Sequence, residues 1–600
     1  MTRDVDDGYR TRLAVKILAE LCHEQVITPR RLPDGRYAVT SDDGRTDYLF
    51  DAEVLALDSW CIDEASLRRS IDGAGAPLDP VGLVTDLAST LGLSGDDLAG
   101  YLEELINTLT LGAQRPAERR VDVRRLAGGT GDRVADFQRV EAAMTEGHPC
   151  FIANAGRVGF SADDLPRYAP EFGPEFRLVW LAIRAGDVEF AAMDGVDYPA
   201  LLESELGAAR LAVFADVLAS RGLDPADYRY LPAHPWQWRN RAARLLATEL
   251  ADGRIVELGT SDDAYRPQQS IRTLFDVTDP ERCYTKVSLS ITNMGFTRGM
   301  SADYMSTTPR INEWVRGRIG DDAYLRSIGF EVLYEIAAAG YRNPAFEAAT
   351  RPGSEYRKLL AALWRQSPIP RLRDGEDLMT MAALLHVDHT GTPLIGALIE
   401  RSGLTARAWL RRYLDAYLHP IVYLLYAYEL KFSPHGENLI LIHRDGIPQR
   451  TILKDIGEEV FVLGDDDLPD ECARARTVEA DETRNLGVLS DVFDDFFRPL
   501  AALLHGHGLI ADDDFWWEVA ASINALRDAH PDLAGRFERW NLFAPAFGAI
   551  HLNRLQIGNR RRMTDHEIPY ADMVADGHTL TNPIAVHDRV RRTDLTAAMS

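Results

Sequence analysis

The stretch from Tyr284 to Met300, YTKVSLSITNMGFTRGM, gathers a lysine, several hydroxyls and an arginine where an anion could be held. From Lys286 to Thr292 the pattern alternates: Lys286, Ser288, Ser290 and Thr292 fall on one side, and Val287, Leu289 and Ile291 on the other. Successive side chains of a strand point to opposite faces, so the alternation predicts a β-strand with its apolar face in the core. Arg298 follows just past its end. Cations beside hydroxyl donors suit a phosphate or a carboxylate. A solvated strand face is the competing reading.

Two neighbouring stretches carry matching chemistry. In QQSIRTLFDVT, Gln268, Ser270 and Arg272 alternate with Gln269, Ile271 and Thr273, and the turn-forming TDPER leads into the lysine strand. An antiparallel hairpin is expected, with Ser270 and Arg272 joining Lys286 on one surface. In SPHGENLILIHRDGIPQRTILKDIGEE, residues 439–442 and 451–453 read as two strands joined by an Asp445-Gly446 turn. His435, Glu437 and Asn438 precede the first strand, and Lys454, Asp455 and Glu458 follow the second. An oxygen ligand at a strand end, a nearby amide and cations for phosphates are what magnesium-nucleotide chemistry requires, and Asp455 is best placed for the metal. An ordinary turn aspartate is the alternative.

Other polar clusters read as structural. His234 and Gln237 in LPAHPWQWRN sit in a rigid, Trp-rich wall, with packing preferred to catalysis by His234; for His386, Asp388 and His389 in LLHVDHTG a turn after a helix is preferred to a metal site, and for Arg560–Arg562 a solvated basic turn to a substrate or phosphate contact.

The elements that must position these groups follow from periodicity. A helix is expected over 9–26, short strands at 37–40 and 48–50, and helices over 80–145, making a mostly helical N-terminal region with a small β element. Strands at 176–183 and 188–191 precede a helix at 199–221; residues 312–365 read as largely helical. A buried helix runs from Thr405, a cap, to about Leu430, kinked at Pro420, and 480–600 reads as helical with Phe493, Phe496, Phe497, Trp516 and Trp517 in the core.

Six hundred residues, 46% of them hydrophobic, predict two to four domains or subdomains. A net charge of -26 argues against non-specific binding to nucleic acid or an anionic membrane. The polar start MTRDVDDGYRTR lacks the apolar core of a secretory signal, and no long apolar run occurs, so a soluble cytoplasmic protein is expected. Five scattered cysteines, Cys22, Cys61, Cys150, Cys283 and Cys472, form no CxxC pair and are expected to be reduced.

Taken in order, EGHP with a downstream RVGF, HPWQ, SIRT, KVSLSIT followed by an arginine, HGEN and KD resemble the IucA/IucC family, the NRPS-independent siderophore synthetases, over roughly residues 146–460. The resemblance implies an α+β, hand-like fold of thumb (1–125), fingers (126–375) and palm (376–600) around a nucleotide cleft. It implies a cytoplasmic ligase that uses ATP and Mg²⁺ to adenylate citrate or a related acid. The adenylate passes to an amine, hydroxylamine-type or alcohol nucleophile, releasing AMP and pyrophosphate, and family members often dimerise. Carried over by position, Arg298, His435 and Lys286 are the catalytic candidates. His148, Ser270, Arg272, Thr273, Lys286, Glu437 and Asn438 match nucleotide-binding positions, and Asp455 with Glu437 the metal carboxylates.

The chain departs from the family pattern in three places. Phe151, Ile152 and Ala155 replace a second HP and a lysine, Glu437 replaces a glutamine, and Ser433 stands where an acid is usual. A phosphotransferase with a kinase-like loop and a silent metabolite binder are the alternatives. Retention of both phosphate cations and the aspartate argues against the binder.

Overall fold

The lysine strand is the third of six in an antiparallel sheet, ordered Tyr265–Pro267, Thr273–Asp276, Tyr284–Val287, Ala361–Arg365, Glu335–Tyr341 and Val188–Ala192. The structure, a computed structural model, describes residues 7–114, 121–464, 468–481, 483–558 and 574–590. The Arg560–Arg562 turn lies outside them. The expected hairpin forms, with Thr273 opposite Lys286, and Lys286 opposite Leu363 on its other side. Helix Ala302–Ile319 crosses the sheet so closely that a Cβ on Gly340 would stand 2.5 Å from the Ala302 Cα.

A second, four-stranded sheet is ordered Glu331–Val332, Ile447–Leu453, Leu439–Arg444 and Asp377–Thr380. The pairing of Glu331 with Ile452 and of Val332 with Leu453 is parallel. Because Glu335–Tyr341 begins two residues later, the chain passes directly from one sheet to the other beside Asp455. Helix Ala406–Tyr428, capped by Thr405 and containing Pro420, supplies the main core and packs on Ile447–Leu453 and on helix Asp512–Ala529.

Three expectations are corrected. Residues 312–365 are not largely helical: the helix ends at Ile319, and Glu335–Tyr341 and Ala361–Arg365 are strands. EIAAAGY and AALWR are buried on both faces, which erases alternation, and their alanines mimic a helix former. The N-terminal region holds a five-stranded sheet, Arg30–Arg31, Tyr37–Thr40, Thr46–Phe50, Arg68–Ile71 and Ala74–Ala76, rather than a small β element. Near the C-terminus, Ala546–Ile550 pairs with Val574–Thr581 where only helix was expected.

The ladder of the lysine strand also stops at Val287, earlier than the alternation implied, yet Val287, Leu289 and Ile291 are all fully buried. The chain stays extended: Ser288 N donates to Ala361 O and Leu289 N to Arg298 O, so each residue keeps its side. Among the described residues, no helix is long and apolar enough to cross a membrane. The five cysteines are free thiols.

His234 is a helix cap. Its Nδ1 accepts from Trp236 N at 3.0 Å, and its ring lies 4.9 Å from both Tyr168 and Phe176. Burial pushes its pKa down to about 3. The fold therefore holds the neutral form, and the unfolded chain takes up a proton below its ordinary value of about 6.5. This stability is present above that pH and is lost as pH falls toward 3, by an amount on the order of 4 kcal/mol. His234→Asn keeps a cap and removes the titration. Denaturation midpoints measured from pH 7 to pH 4 are expected to fall less steeply for the variant.

Candidate functional site

The lysine strand and the segment after Leu453 meet in a buried ion cluster. Lys286 Nζ lies 2.9 Å from Asp455 Oδ1 and 2.5 Å from Glu458 Oε2. Arg365, almost fully buried one strand away, pairs with Asp455 and, at 3.2 Å, with Glu335. Arg272 reaches Glu458 at 3.4 Å and donates to Gly299 O at 3.2 Å. Glu335 also accepts from Gly457 N at 2.9 Å and Asn312 Nδ2 at 3.2 Å, which fixes the turn after Asp455 to the helix Ala302–Ile319.

Charge sets the protonation states here. Burial pulls the Asp455 carboxyl upward, but Arg365, Lys286 and Lys454 outweigh it and hold the group well below the carboxylate range. Burial lowers Lys286, and Asp455 with Glu458 reverse this and raise it. Arg298, buried beside Arg272, is pushed down to about 10, with Glu437, Glu458 and Glu459 partly restoring it.

Backbone strain sits at the same place. Asp455 has φ 63°, and Ile271, between Ser270 and Arg272, has φ 61°. A β-branched residue in this region costs about 1–3 kcal/mol and persists only where packing enforces it. Ile271 is wedged in a cluster with Tyr168, Trp236, Leu289 and Ile291. Gln269, two residues before it, donates from both N and Nε2 to Glu141 at 2.8 Å. The turn Gln268–Arg272 is therefore not an alternating strand, and the ladder starts at Thr273. Ser270 Oγ closes the turn by accepting from Thr273 N at 3.3 Å.

A narrow cavity of about 90 Å³ lies beside the cluster, lined by His148, Gln269, Asn293, His435, Glu437 and Asp495 among others. The His148 and His435 rings are 6.3 Å apart. Burial lowers both, His148 well below its ordinary range with the help of His435 and Lys16, so both are neutral near pH 7. Asn438 donates to Ser433 O at 2.9 Å and to Glu459, whose carboxylate lies 3.7 Å from His435.

The structure thus pairs Lys286 with Asp455 and sets Arg272 and Lys286 on the same Glu458 carboxylate, and Arg298 donates to Asn293 O at 3.4 Å on the cavity wall. Of the two expected metal carboxylates, Glu437 lines the cavity with His435, and Asp455 is bound by Lys286 and Arg365. Asp388 caps Val123 N and binds Thr390, as expected of a turn. Phe151, Ile152 and Ala155 are core residues.

Sequence reasoning missed Arg365, Glu335, Asp491 and Asp495. Arg365 and Glu335 lie in strands with no alternation. Asp491 and Asp495 carried one signal, an acidic i, i+4 spacing that puts both on one face of a helix, here the π-type turn Gly487–Phe497. Asp491 binds Ser433, and burial pushes it up to about 7.

The IucA / IucC family model matches residues 136–386. The putrebactin synthase of Shewanella sp. (strain MR-4) is 44% identical over 559 residues, 92% of this chain and 87% of that one. The chain belongs to the IucA/IucC family. It is a ligase of siderophore biosynthesis. Among solved structures, aerobactin synthetase IucC from a hypervirulent pathotype of Klebsiella pneumoniae aligns with TM-score 0.82 and 28% identity, covering 97% of this chain and 98% of that one. The ATP-bound aerobactin synthetase IucA of the same source shares the fold at TM-score 0.73 and 17% identity, covering 96% and 99%. A second model, "Ferric iron reductase FhuF-like transporter", matches residues 407–565, which begin with the core helix Ala406–Tyr428. The IucA/IucC profile ends at residue 386, so His435 and Asp455 fall in the second match.

Removing one partner of a buried ion cluster leaves uncompensated charge and costs about 3–5 kcal/mol. Asparagine tolerates positive φ, so Asp455→Asn tests the charge apart from the backbone. A loss of about that size is expected in chemical denaturation of the ligand-free variant; a midpoint unchanged from the parent would contradict the pairing.

Proposed function

We propose that this IucA/IucC protein adenylates a carboxylate with ATP and condenses the acyl-adenylate with an amine or hydroxylamine-type nucleophile. The observation that carries the reading is the cation group of buried Arg272 and Lys286 with half-buried Arg298, held in place by Glu458, Asp455 and the Asn293 carbonyl. A carboxylate is a poor electrophile. Attack of its oxygen on the α-phosphorus expels pyrophosphate and leaves AMP as the leaving group. Attack of the amine nitrogen on the acyl carbon then breaks the C–O bond and releases AMP. Charge develops on phosphate oxygens in both steps, and fixed cations stabilise it without reorganising.

In this reading Lys286, Arg272, Thr273 and Ser270 take the phosphates, with Asn438 and His148 on the nucleotide side. Arg298 lies at the join between phosphate and acid, and neutral His435 orients the reacting carboxylate. Mg²⁺ takes one or two carboxylates together with phosphate oxygens. Asp455 has one oxygen on Lys286 and the other 3.8 Å from Lys454. No three acidic, His or Cys side chains converge on a metal among the described residues. That donor set fits an ion delivered with the nucleotide, held by Asp455 with Glu437, and the bound ion would neutralise charge on the phosphates.

The hand-like division into thumb (1–125), fingers (126–375) and palm (376–600), with the cleft where fingers and palm meet, belongs to this proposal, as do a cytoplasmic location and a homodimer. The acid is citrate or a dicarboxylate and the nucleophile a polyamine derivative. The named relatives support this range: putrebactin synthase, aerobactin synthase of Escherichia coli and a citryl-spermidine:spermidine ligase of Bacillus anthracis.

ATP–pyrophosphate exchange screened across citrate, succinate and succinyl-amine acids tests the reading. Exchange dependent on one acid, with AMP as product, is expected; ADP as product would favour the phosphotransferase. Arg298→Ala is expected to lower kcat/KM for acid and ATP together by about 100-fold or more. A defect confined to the amine step would contradict the placement of Arg298.

A further inference from the structure

The segment 147–155, which brings His148 to the wall of the small cavity, is built of bends and turns. Side chains from both ends of the chain take up its backbone polar groups. From the first helix, Asp7–His23, Lys16 Nζ donates to His148 O at 2.6 Å. From the helix Leu552–Gly558, Asn553 Oδ1 accepts from Ile152 N at 2.9 Å and Asn553 Nδ2 donates to Cys150 O at 2.9 Å. Gln556 Nε2, one turn on, donates to Ala153 O at 3.3 Å. Apolar packing follows the same route, with Phe151 clustered with Leu555 and Ile152 with Ile557.

Asn553 is fully buried. A buried amide costs free energy unless its polar atoms are matched, and these are. Beyond the two loop contacts, its Nδ2 donates to Glu24 Oε1 at 2.8 Å. Glu24 also accepts from Asn553 N at 2.7 Å and from Arg554 N at 2.9 Å, so the residue that follows the first helix caps the helix carrying Asn553. The effect reaches the His148 ring. Its Nδ1 accepts from Cys150 N at 3.2 Å, on the residue whose carbonyl Asn553 holds. A ring nitrogen that accepts a backbone N–H carries no proton, so in the neutral imidazole the proton sits on Nε2. His435 is built alike, with Nδ1 accepting from Glu437 N at 3.3 Å.

We propose that Asn553 is a positioning residue for the reaction: by fixing Cys150 and Ile152 it sets the His148 ring as an Nε2–H donor to the anion bound in the cavity. The proposal rests on the adenylation reading above, which puts His148 on the nucleotide side. Asn553 acts through the loop. Losing its amide releases Cys150 O and Ile152 N together, and the ring anchored on Cys150 N then turns or changes tautomer. Groups that meet a reactant work only while the residues behind them hold their rotamers, and a shift of about 1 Å costs on the order of 100-fold in rate.

Asn553→Ser keeps a hydroxyl too short to bridge Cys150 O and Ile152 N. This variant, His148→Ala and the double variant are compared with the parent in the full chain. Amide hydrogen exchange of the ligand-free protein, read by mass spectrometry, is expected to be about tenfold faster or more over 147–155 in Asn553→Ser and within about twofold of the parent over 284–300. In ATP–pyrophosphate exchange each single variant is expected to lower kcat/KM for ATP by about tenfold or more, with the double variant within about twofold of His148→Ala. Loop exchange equal to the parent's would overturn the assignment. So would losses that multiply in the double variant, which would show Asn553 acting independently of His148, and so would faster exchange spread over the whole chain, which would make Asn553 a general core residue. Hydrogen exchange does not depend on adenylation. A His148→Ala variant with the parent's kcat/KM would refute the nucleotide role of His148, while the loop measurement still decides whether Asn553 holds the loop.

Discussion

Everything around the cleft depends on Lys286 being held between Asp455 and Glu458. A lysine this deeply buried pays a desolvation cost of several kcal/mol unless it is closely paired. Its partners come from the other sheet, after Leu453, and Arg365 and Glu335 extend the pairing so that three cations, Lys286, Arg365 and Arg272, meet three carboxylates, Asp455, Glu458 and Glu335. The cluster therefore does two things: it locks the six-stranded sheet to the four-stranded one, and it sets its cations at fixed positions in a low-dielectric setting. The parallel step from Glu331–Val332 to Glu335–Tyr341 makes this possible by carrying the chain across the gap beside Asp455.

Strain and electrostatics are concentrated together. Asp455 and Ile271 both adopt left-handed backbone, Ile271 packed against Tyr168 and Trp236 and Asp455 paired with Lys286 and Arg365. The neutral histidines, the lowered Arg298 and the raised Asp491 share one physical cause, which is burial of many ionisable groups within a small volume. Such a site is costly to build and is conspicuous for that reason.

Much of the site was legible in local pattern. Strict alternation put Lys286 opposite Val287 and Leu289, TDPER announced the hairpin, and Asp445-Gly446 the turn that brings Asn438 and Asp455 to the same end. What stayed hidden has physical reasons. Arg365 and Glu335 belong to strands buried on both faces, where Ala-rich composition imitates a helix. The turn at Ile271 gave no sign because its φ is imposed by distant aromatic packing. The five-stranded N-terminal sheet is built of short, polar strands such as Arg68–Ile71, whose pairing partners are set by turns and not by hydrophobic period.

Adenylation requires the carboxylate oxygen to become bonded to the α-phosphorus of ATP. Turnover with an acid labelled with ¹⁸O in its carboxylate, followed by mass spectrometry of the nucleotide and phosphate products, tests it most directly. One ¹⁸O atom is expected in AMP and none in pyrophosphate. Label in inorganic phosphate, with ADP as the nucleotide product, would contradict it.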